Sequence, residues 1–207
     1  MTATKPTTTA LQNASAQASD RTTTLVIRAE RASDVAAREA LLDVCFGPNR
    51  FARTCQRLRD GRVPAHGLAF SATLGGKLAG TVRLWHINAG DRAALVLGPL
   101  AVDPKIQSLG IGGALMRHAI TRATALGHAA IVLLGDAPYY KRFGFSAVKA
   151  AELSLPGPFE RERLLGLELK SGALDGVWGM IMPTGPSDVA RRAHRPVRSR
   201  ALVTKVA

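Results

Sequence analysis

The sequence predicts an α/β (α+β) domain with a mixed central sheet of six to seven strands and flanking helices. Two strands over residues 67–73 and 77–87 are joined by Gly75 and Gly76, and a glycine pair favours the tight turn of an antiparallel hairpin. A strand at 92–102 then leads through a glycine-rich turn into a helix and a further strand. Antiparallel strands followed by a strand–helix–strand unit predict a mixed sheet.

The elements ahead of this hairpin follow from alternation and from helix-ending residues. Residues 25–28 alternate between the two faces of a first strand, and Ser33 is expected to cap a helix that runs to Cys45. A Gly-Pro pair ends that helix, and a second helix is expected over residues 49–59.

The elements after the glycine-rich turn are a helix and three strands. Apolar residues recur at helical spacing from Ile111 until Gly127 ends the helix. A strand is expected over residues 129–134, and the last two strands over residues 164–169 and 177–182.

These elements predict one domain, over residues 23–183, between two extensions. Residues 1–22 lack the continuous apolar core of a secretion signal, and they predict a disordered leader. Residues 184–207 predict a flexible basic tail, since six basic side chains stand against Asp188 alone.

Composition limits the function classes. The chain has 207 residues, with 28 basic and 15 acidic side chains that give a net charge of +13. Such a charge attracts polyanions, so a weak contact with RNA, ribosomes or acidic lipid through the tail is one interpretation, but no aromatic residues are interleaved there to stack on bases. No apolar run is long enough to cross a membrane, and we expect a cytoplasmic protein. The spacing of Cys45 and Cys55 supports neither a disulfide framework nor a metal site.

The cluster of Gly110, Gly112 and Gly113 predicts a site for phosphate groups, because glycines let an anion approach the free N–H groups of a helix's first turn. A Walker A loop is excluded, since no Lys followed by Ser or Thr comes after the second glycine. A dinucleotide fingerprint has Leu115 where a third glycine belongs. Asp136 nevertheless stands about where the ribose-binding acid of that fold would be, so that interpretation stays open.

A third phosphate-binding pattern fits the spacing. Gln107 is followed after two residues by Gly110 and, one residue later, by Gly112. An apolar-x-Pro run at residues 100–104 precedes this loop, and Tyr140 stands four residues before a Gly-Phe pair. The chain resembles the GNAT superfamily of N-acetyltransferases in these motifs, and most closely its YhbS-like branch.

The resemblance covers about residues 24–148 and implies the GNAT acyl-CoA N-acyltransferase fold. In that fold the fourth strand splays from the fifth around the pantetheine arm of acetyl-CoA, and a strand N–H meets the thioester carbonyl. The cosubstrate implied is acetyl-CoA, with no metal. The cofactor-binding residues implied are Leu100, Ala101, Val102, Gln107, Ser108, Leu109, Gly110, Ile111, Gly112, Gly113, Tyr140 and Arg142.

The resemblance also implies the catalytic residues. Tyr140 lies at the usual general-acid position, where a phenol would protonate the leaving thiolate. Tyr139 is the alternative, because this chain has fewer residues ahead of the tyrosine than most members. The general base has no fixed position, and His86, near the end of the third strand, is the leading candidate. Asp136 and Glu30 are weaker alternatives.

The predicted function is therefore transfer of an acetyl group from acetyl-CoA to an amine of a small molecule or a protein, by a monomer or homodimer. The alternative is a binding protein without catalysis that senses acyl-CoA or associates with RNA or the ribosome. An intact tyrosine beside the expected sulfur favours the enzyme.

Overall fold

The structure is a computed structural model that describes residues 24–188 of the chain. The predicted leader at residues 1–22, and the part of the basic tail beyond Asp188, lie outside the described residues. The strands are β1 (Leu25–Ala29), β2 (Ala69–Leu74), β3 (Lys77–Ala89), β4 (Arg92–Val102), β5 (Ala130–Leu134), β6 (Leu153–Ser154), β7 (Leu164–Glu168) and β8 (Gly179–Pro183). The α-helices are α1 (Val35–Phe46), α2 (Ile111–Ala125) and α3 (Ala137–Lys141).

The strands form an eight-stranded sheet with the order β1-β2-β3-β4-β5-β7, and β8 pairs with both β3 and β6. The sequence predicted six to seven strands. The additional strand is β6, which has two residues and is too short to show an alternating pattern. Among the described residues no helix is both long and apolar enough to cross a membrane.

The described chain divides into two compact units. Unit 1 contains residues 24–51, 66–84 and 97–128, and unit 2 contains residues 52–65, 85–96 and 129–188. The division crosses β3 and β4, so each of these strands contributes residues to both units.

Unit 1 is built on an antiparallel meander. β1 pairs with β2, and β2 pairs with β3 in the hairpin that the sequence predicted. Gly75 and Gly76 form the hairpin turn with φ angles of 56° and 81°, values that residues with a Cβ rarely adopt. Leu41 and Leu42 of α1 pack in a buried cluster with Ala101 at the end of β4. This packing fixes the end of β4, which precedes the glycine-rich loop.

The first helix begins differently from the prediction. Ser33 was expected as its cap, but it lies inside a short 3-10 helix, Ala32–Asp34, and α1 begins at Val35. The carboxylate of the next residue, Asp34, is bonded to residues outside the helix, since it accepts hydrogen bonds from Arg28 and from Ser71 of β2. Asp34 therefore connects the start of the helical segment to two strands, which local sequence does not reveal.

Unit 2 combines parallel and antiparallel pairs. β4 and β5 are parallel, with Leu95 opposite Ile131 and Val96 opposite Val132. β5 pairs along its full length with the antiparallel β7. A buried cluster that includes Trp85, Val132 and Leu164 forms the core of this unit.

The helix predicted over residues 49–59 is wrong. Two 3-10 helices, Pro48–Ala52 and Thr54–Leu58, occupy this stretch, because the chain is extended at Arg53 (φ −68°, ψ 142°). The hydroxyl of Thr54 donates to the carbonyl of Pro158, a contact that competes with a regular helix.

Candidate functional site

The glycine-rich loop of unit 1 has a backbone shaped for an anion. Gly110 is the N-cap of α2 and has φ 74°, and Ser108 has φ 73°. Ser108 is the one residue other than glycine with a positive φ among those that the structure describes. Such a conformation costs about 1–2 kcal/mol, and strained residues of this kind cluster at ligand sites. Left-handed residues close together also turn successive N–H groups toward one point, where an anion can bind.

The helix that follows supplies further N–H donors. Ala114 donates to the carbonyl of Gly110 at 2.9 Å, which is the usual first bond of an α-helix. The N–H groups of Ile111, Gly112 and Gly113 therefore have no acceptor within the helix. Residues 107–110 are exposed, so an anion can reach the positive end of the helix dipole.

A further cation lies beside this first turn, and the sequence interpretation missed it. A Cβ placed on Gly113 would lie 3.4 Å from Nη1 and 3.7 Å from Nη2 of Arg117. The guanidinium therefore covers the side of the helix that glycine leaves open. The signal was present in the sequence, since side chains four residues apart share a helix face and lean toward the N-terminus.

The end of β4, where Leu100, Ala101 and Val102 are predicted to meet the thioester, is held by side chains and backbone from the rest of unit 1. The Sγ of Cys45 donates to the carbonyl of Val102 at 3.3 Å, and burial raises the pKa of this thiol. A Cβ on Gly80 would lie 3.0 Å from the carbonyl oxygen of Ala101, so glycine at this position favours the close approach of β3 to β4.

Tyr140 of unit 2 lies in a confined position on α3. Its backbone N–H donates to the carbonyl of Asp136 at 3.2 Å, and its ring meets that of Phe145 edge-on with centroids 6.0 Å apart. A Cβ on Gly135 would lie only 2.8 Å from Cδ2 of the ring. Burial, with smaller contributions from Tyr139 and Asp136, raises the pKa of Tyr140 to about 12.

Tyr139 is placed differently from its neighbour. The guanidinium of Arg142 lies 3.9 Å above its ring centroid, and Nε of Arg142 donates to the carbonyl of Tyr139 at 3.0 Å. This stacking holds Arg142, a predicted cofactor contact, in an exposed position where its charge can meet a phosphate. The two tyrosine rings meet edge-on at 4.9 Å.

The candidate bases differ in their surroundings. His86 is partly exposed near the end of β3, and its backbone carbonyl accepts from the N–H groups of Thr184 and Gly185 at 3.1 and 3.3 Å. Asp136 is exposed at the start of α3. The carboxylate of Glu30 is bound by Arg38 at 2.5 Å and by Arg83, which occupies its oxygens and does not favour a role in proton abstraction.

The two units carry different chemical groups, donors for a phosphate-containing ligand in one and a donor of a proton or hydrogen bond in the other. Unit 1 carries the backbone donors and Arg117, and unit 2 carries a phenol that stays protonated at neutral pH because its pKa is about 12. Within residues 24–188 there is no group of three or more His, Cys, Asp or Glu side chains able to hold a metal ion.

Comparison with known proteins gives consistent similarities. Residues 36–145 match the model of the acetyltransferase (GNAT) family. The chain is 28% identical over 159 residues to the uncharacterized N-acetyltransferase YhbS of Escherichia coli K12, covering 76% of this chain and 95% of that protein.

Two solved structures share the fold. The structure of Escherichia coli YhbS in complex with CoA has a TM-score of 0.68 at 28% identity, and the match covers 80% of this chain and 93% of that one. A GNAT family acetyltransferase from Brucella melitensis in complex with acetyl-CoA has a TM-score of 0.54 at 26% identity, covering 79% of this chain and 94% of the other. These similarities confirm the fold predicted from the sequence.

Proposed function

Because the chain belongs to the acetyltransferase (GNAT) family, we propose that it transfers the acetyl group of acetyl-CoA to a primary amine of a small molecule or a protein, by direct attack on the thioester. The observation that carries this proposal is the loop ahead of α2, where Ser108 and Gly110 have left-handed backbones and the first-turn N–H groups have no acceptor in the helix. The solved relatives with CoA and acetyl-CoA support the choice of cosubstrate.

The pyrophosphate of the cosubstrate is assigned to the exposed loop and first turn, from Gln107 to Gly113. These residues fit the group, because a pyrophosphate accepts several hydrogen bonds and favours the positive end of a helix. Arg117 adds positive charge beside this first turn for the remaining phosphate oxygens. Arg142 of unit 2 stays a predicted contact of the cosubstrate. The N–H groups near Leu100, Ala101 and Val102 are assigned to the thioester carbonyl, where a donor stabilises developing negative charge.

The reaction must form a C–N bond, break the C–S bond, remove a proton from the amine and give one to sulfur. We assign the donor at sulfur to Tyr140, with Tyr139 as the alternative. A thiol has a pKa of about 8.5, so complete transfer from a phenol of pKa about 12 would be uphill by about 5 kcal/mol. Tyr140 is therefore suited to donate a hydrogen bond to sulfur as negative charge develops there. A phenol that gives its proton to sulfur must regain one, so Tyr140 does not remain as a phenolate.

We assign removal of the amine proton to His86, directly or through water. An imidazole is the side chain whose ordinary pKa is closest to neutral pH, and His86 is partly exposed, so an incoming amine can reach its segment of β3. Asp136 is the remaining alternative, since Glu30 is bound by two guanidinium groups.

The proposal is tested by incubating the full chain with acetyl-CoA and a panel of amines and peptide N-termini, and measuring free thiol. We expect at least one amine to accelerate thiol release, with formation of its N-acetyl derivative. If acetyl-CoA binds but no amine accelerates thiol release, the proposed acetyl transfer is contradicted. That result would favour a protein that senses acyl-CoA.

A further inference from the structure

A short stretch of unit 2 ahead of β2 is rich in arginine. Residues 53–62, which we call the arginine segment, contain four arginines and a single acidic residue, Asp60. The carboxylate of Asp60 accepts from the side-chain amide of Gln56 at 2.6 Å, so this acid is engaged by a neutral group. The segment therefore carries a local excess of positive charge.

Arg62 of this segment is held firmly by backbone contacts. It forms an antiparallel bridge with Ser187, and on either side Val63 donates to Pro186 at 3.1 Å and Asp188 donates to Gly61 at 2.8 Å. Its Nη1 donates to the carbonyl of Gly185. A carbonyl orients a guanidinium without neutralising it, and a half-buried cation in this state favours an anionic partner.

The position of Arg62 is linked to the candidate base. The residue whose carbonyl accepts from Arg62, Gly185, also donates its N–H to the carbonyl of His86 at 3.3 Å. A Cβ on Gly185 would lie 3.5 Å from the Cβ of His86. Gly185 is thus hydrogen-bonded to both the guanidinium of Arg62 and the backbone of His86, so the two residues lie in the same region of unit 2.

A second arginine of the segment is in a similar state. Nη1 of Arg57 donates to the carbonyl of Pro156 at 2.6 Å, and this side chain is exposed. Within residues 24–188, the side-chain hydrogen bonds of Arg57 and Arg62 go to backbone carbonyls. A guanidinium has five N–H donors, so each retains donors for a ligand in the fork geometry that matches carboxylate and phosphate.

We propose that the acceptor of this enzyme is an amine that carries an anionic oxygen group, carboxylate or phosphate, and that Arg62 binds this group while the amine faces His86. Arg57 adds to the positive field through which such an acceptor approaches. The inference rests on the proposed acetyl transfer, and it names the substrate class of that site. Arg62 is in this account a specificity residue, which raises affinity for the acceptor without taking part in the chemistry.

The test uses pairs of acceptors that differ in charge. One pair is the amides of the dipeptides alanylaspartate and alanylasparagine, and the other is phosphoethanolamine and ethanolamine. The full chain is assayed for thiol release from acetyl-CoA with each. We expect kcat/KM to be higher for the anionic member by about tenfold, mainly through KM, and the preference to shrink as salt increases.

Variants then locate the preference. Arg62→Gln should abolish the preference for the anionic member of each pair. Arg62→Lys should restore part of this preference, because a lysine keeps the charge but not the fork. Lys170→Gln removes one positive charge from an exposed position after β7 and should leave the preference intact. If Arg62→Gln does not fold, Arg57→Gln should reduce the preference in the same direction.

The outcomes separate the two proposals. Equal use of anionic and neutral acceptors, or a preference that survives in Arg62→Gln, would overturn the anionic acceptor and leave acetyl transfer standing. Absence of thiol release with every amine would overturn acetyl transfer itself and this inference with it.

Discussion

The ring of Tyr140 lies against the α-carbon of Gly135, so closely that a methyl group at position 135 would overlap it. A Cβ there would lie 2.8 Å from Cδ2 of the ring and 3.1 Å from Cδ1 of Leu133. Gly135 is the residue between β5 and the N-cap of α3, so the turn into the helix and the position of the phenol depend on the same missing side chain. We infer that Gly135 positions Tyr140.

This relationship predicts that Gly135→Ala lowers kcat while leaving the affinity for CoA nearly unchanged. The added methyl would overlap the ring of Tyr140 and lie 3.1 Å from Cδ1 of Leu133, so the ring must shift. Steady-state kinetics and calorimetric titration with CoA measure the two quantities. In a Tyr140→Ala background, Gly135→Ala should cost little further activity, since the ring that the methyl group displaces is already absent. Additive losses in the double variant would show that Gly135 acts elsewhere.

Tyr140→Phe should lower kcat by about tenfold or more with a nearly unchanged KM for acetyl-CoA, because removal of one donor to a reacting atom typically costs that much. Burial raises the pKa of Tyr140 to about 12, so the phenol is protonated below that pH. Any alkaline fall in kcat between pH 8 and about 10 should therefore be the same in Tyr140→Phe and wild type. Full activity in this variant would move the donor role to Tyr139 or to solvent.

Gly112→Leu should weaken CoA binding by about tenfold or more, because a bulky side chain in the first turn obstructs the approach of pyrophosphate to the backbone. Thr121→Leu is the matched control, since it adds a similar side chain at an exposed position later in α2. Calorimetric titration with CoA measures both. Unchanged affinity in Gly112→Leu would reject the assignment of the loop.

Arg117→Gln should weaken CoA binding by several-fold and reduce its dependence on salt, because the guanidinium beside Gly113 contributes charge to the phosphate site. Arg122→Gln, with the same change at an exposed position five residues later, should have a smaller effect because a helix terminus acts over about one turn. Titrations at low and high ionic strength give the comparison. Identical salt dependence in Arg117→Gln and wild type would remove this residue from the site.

Asp34→Asn should destabilise the fold by about 1–3 kcal/mol at pH 7, since the carboxylate accepts from Arg28 at 2.6 and 2.8 Å, from the N–H of Arg31 at 2.8 Å and from Ser71 at 3.0 Å. These contacts, chiefly the bond from Arg28, hold the pKa of Asp34 far below its ordinary value. The stabilisation is thus complete above the ordinary pKa of about 3.9 and is lost as the pH falls below it.

Urea unfolding at pH 7 and pH 3 tests this pH dependence. The difference between wild type and Asp34→Asn should be smaller at the lower pH. Asp43→Asn is the control, because Asp43 pairs with Arg50 from an exposed position and should matter little at either pH. Equal losses in the two variants would contradict the account.

Several elements could be predicted from sequence because local chemistry determines them. The hairpin at Gly75 and Gly76 depends on two adjacent residues, and β4 occupies residues 92–102 as predicted. The helix α2 begins at Ile111, where the apolar period starts after the glycine cap. In each case the deciding residues are neighbours along the chain.

Other features depend on residues far apart in sequence. The 3-10 geometry at Thr54 follows from its contact with Pro158, more than a hundred positions later, and no local pattern encodes that partner. The close contact of Gly135 with Tyr140 joins residues only five positions apart, but it depends on side-chain packing, which composition and spacing do not report. The sequence indicated which residue types matter for the site, but not the tertiary contacts that hold these residues in place.

The most direct test of the central claim follows one turnover with the full chain, acetyl-CoA and an accepted amine, quenched at intervals. Free thiol, N-acetylated amine and the mass of the intact protein are measured at each time. Direct attack predicts that thiol and acetylated amine appear together in equal amounts while the protein mass stays unchanged. Acetylated protein that appears before the product, or thiol release without an acetylated amine, would contradict it.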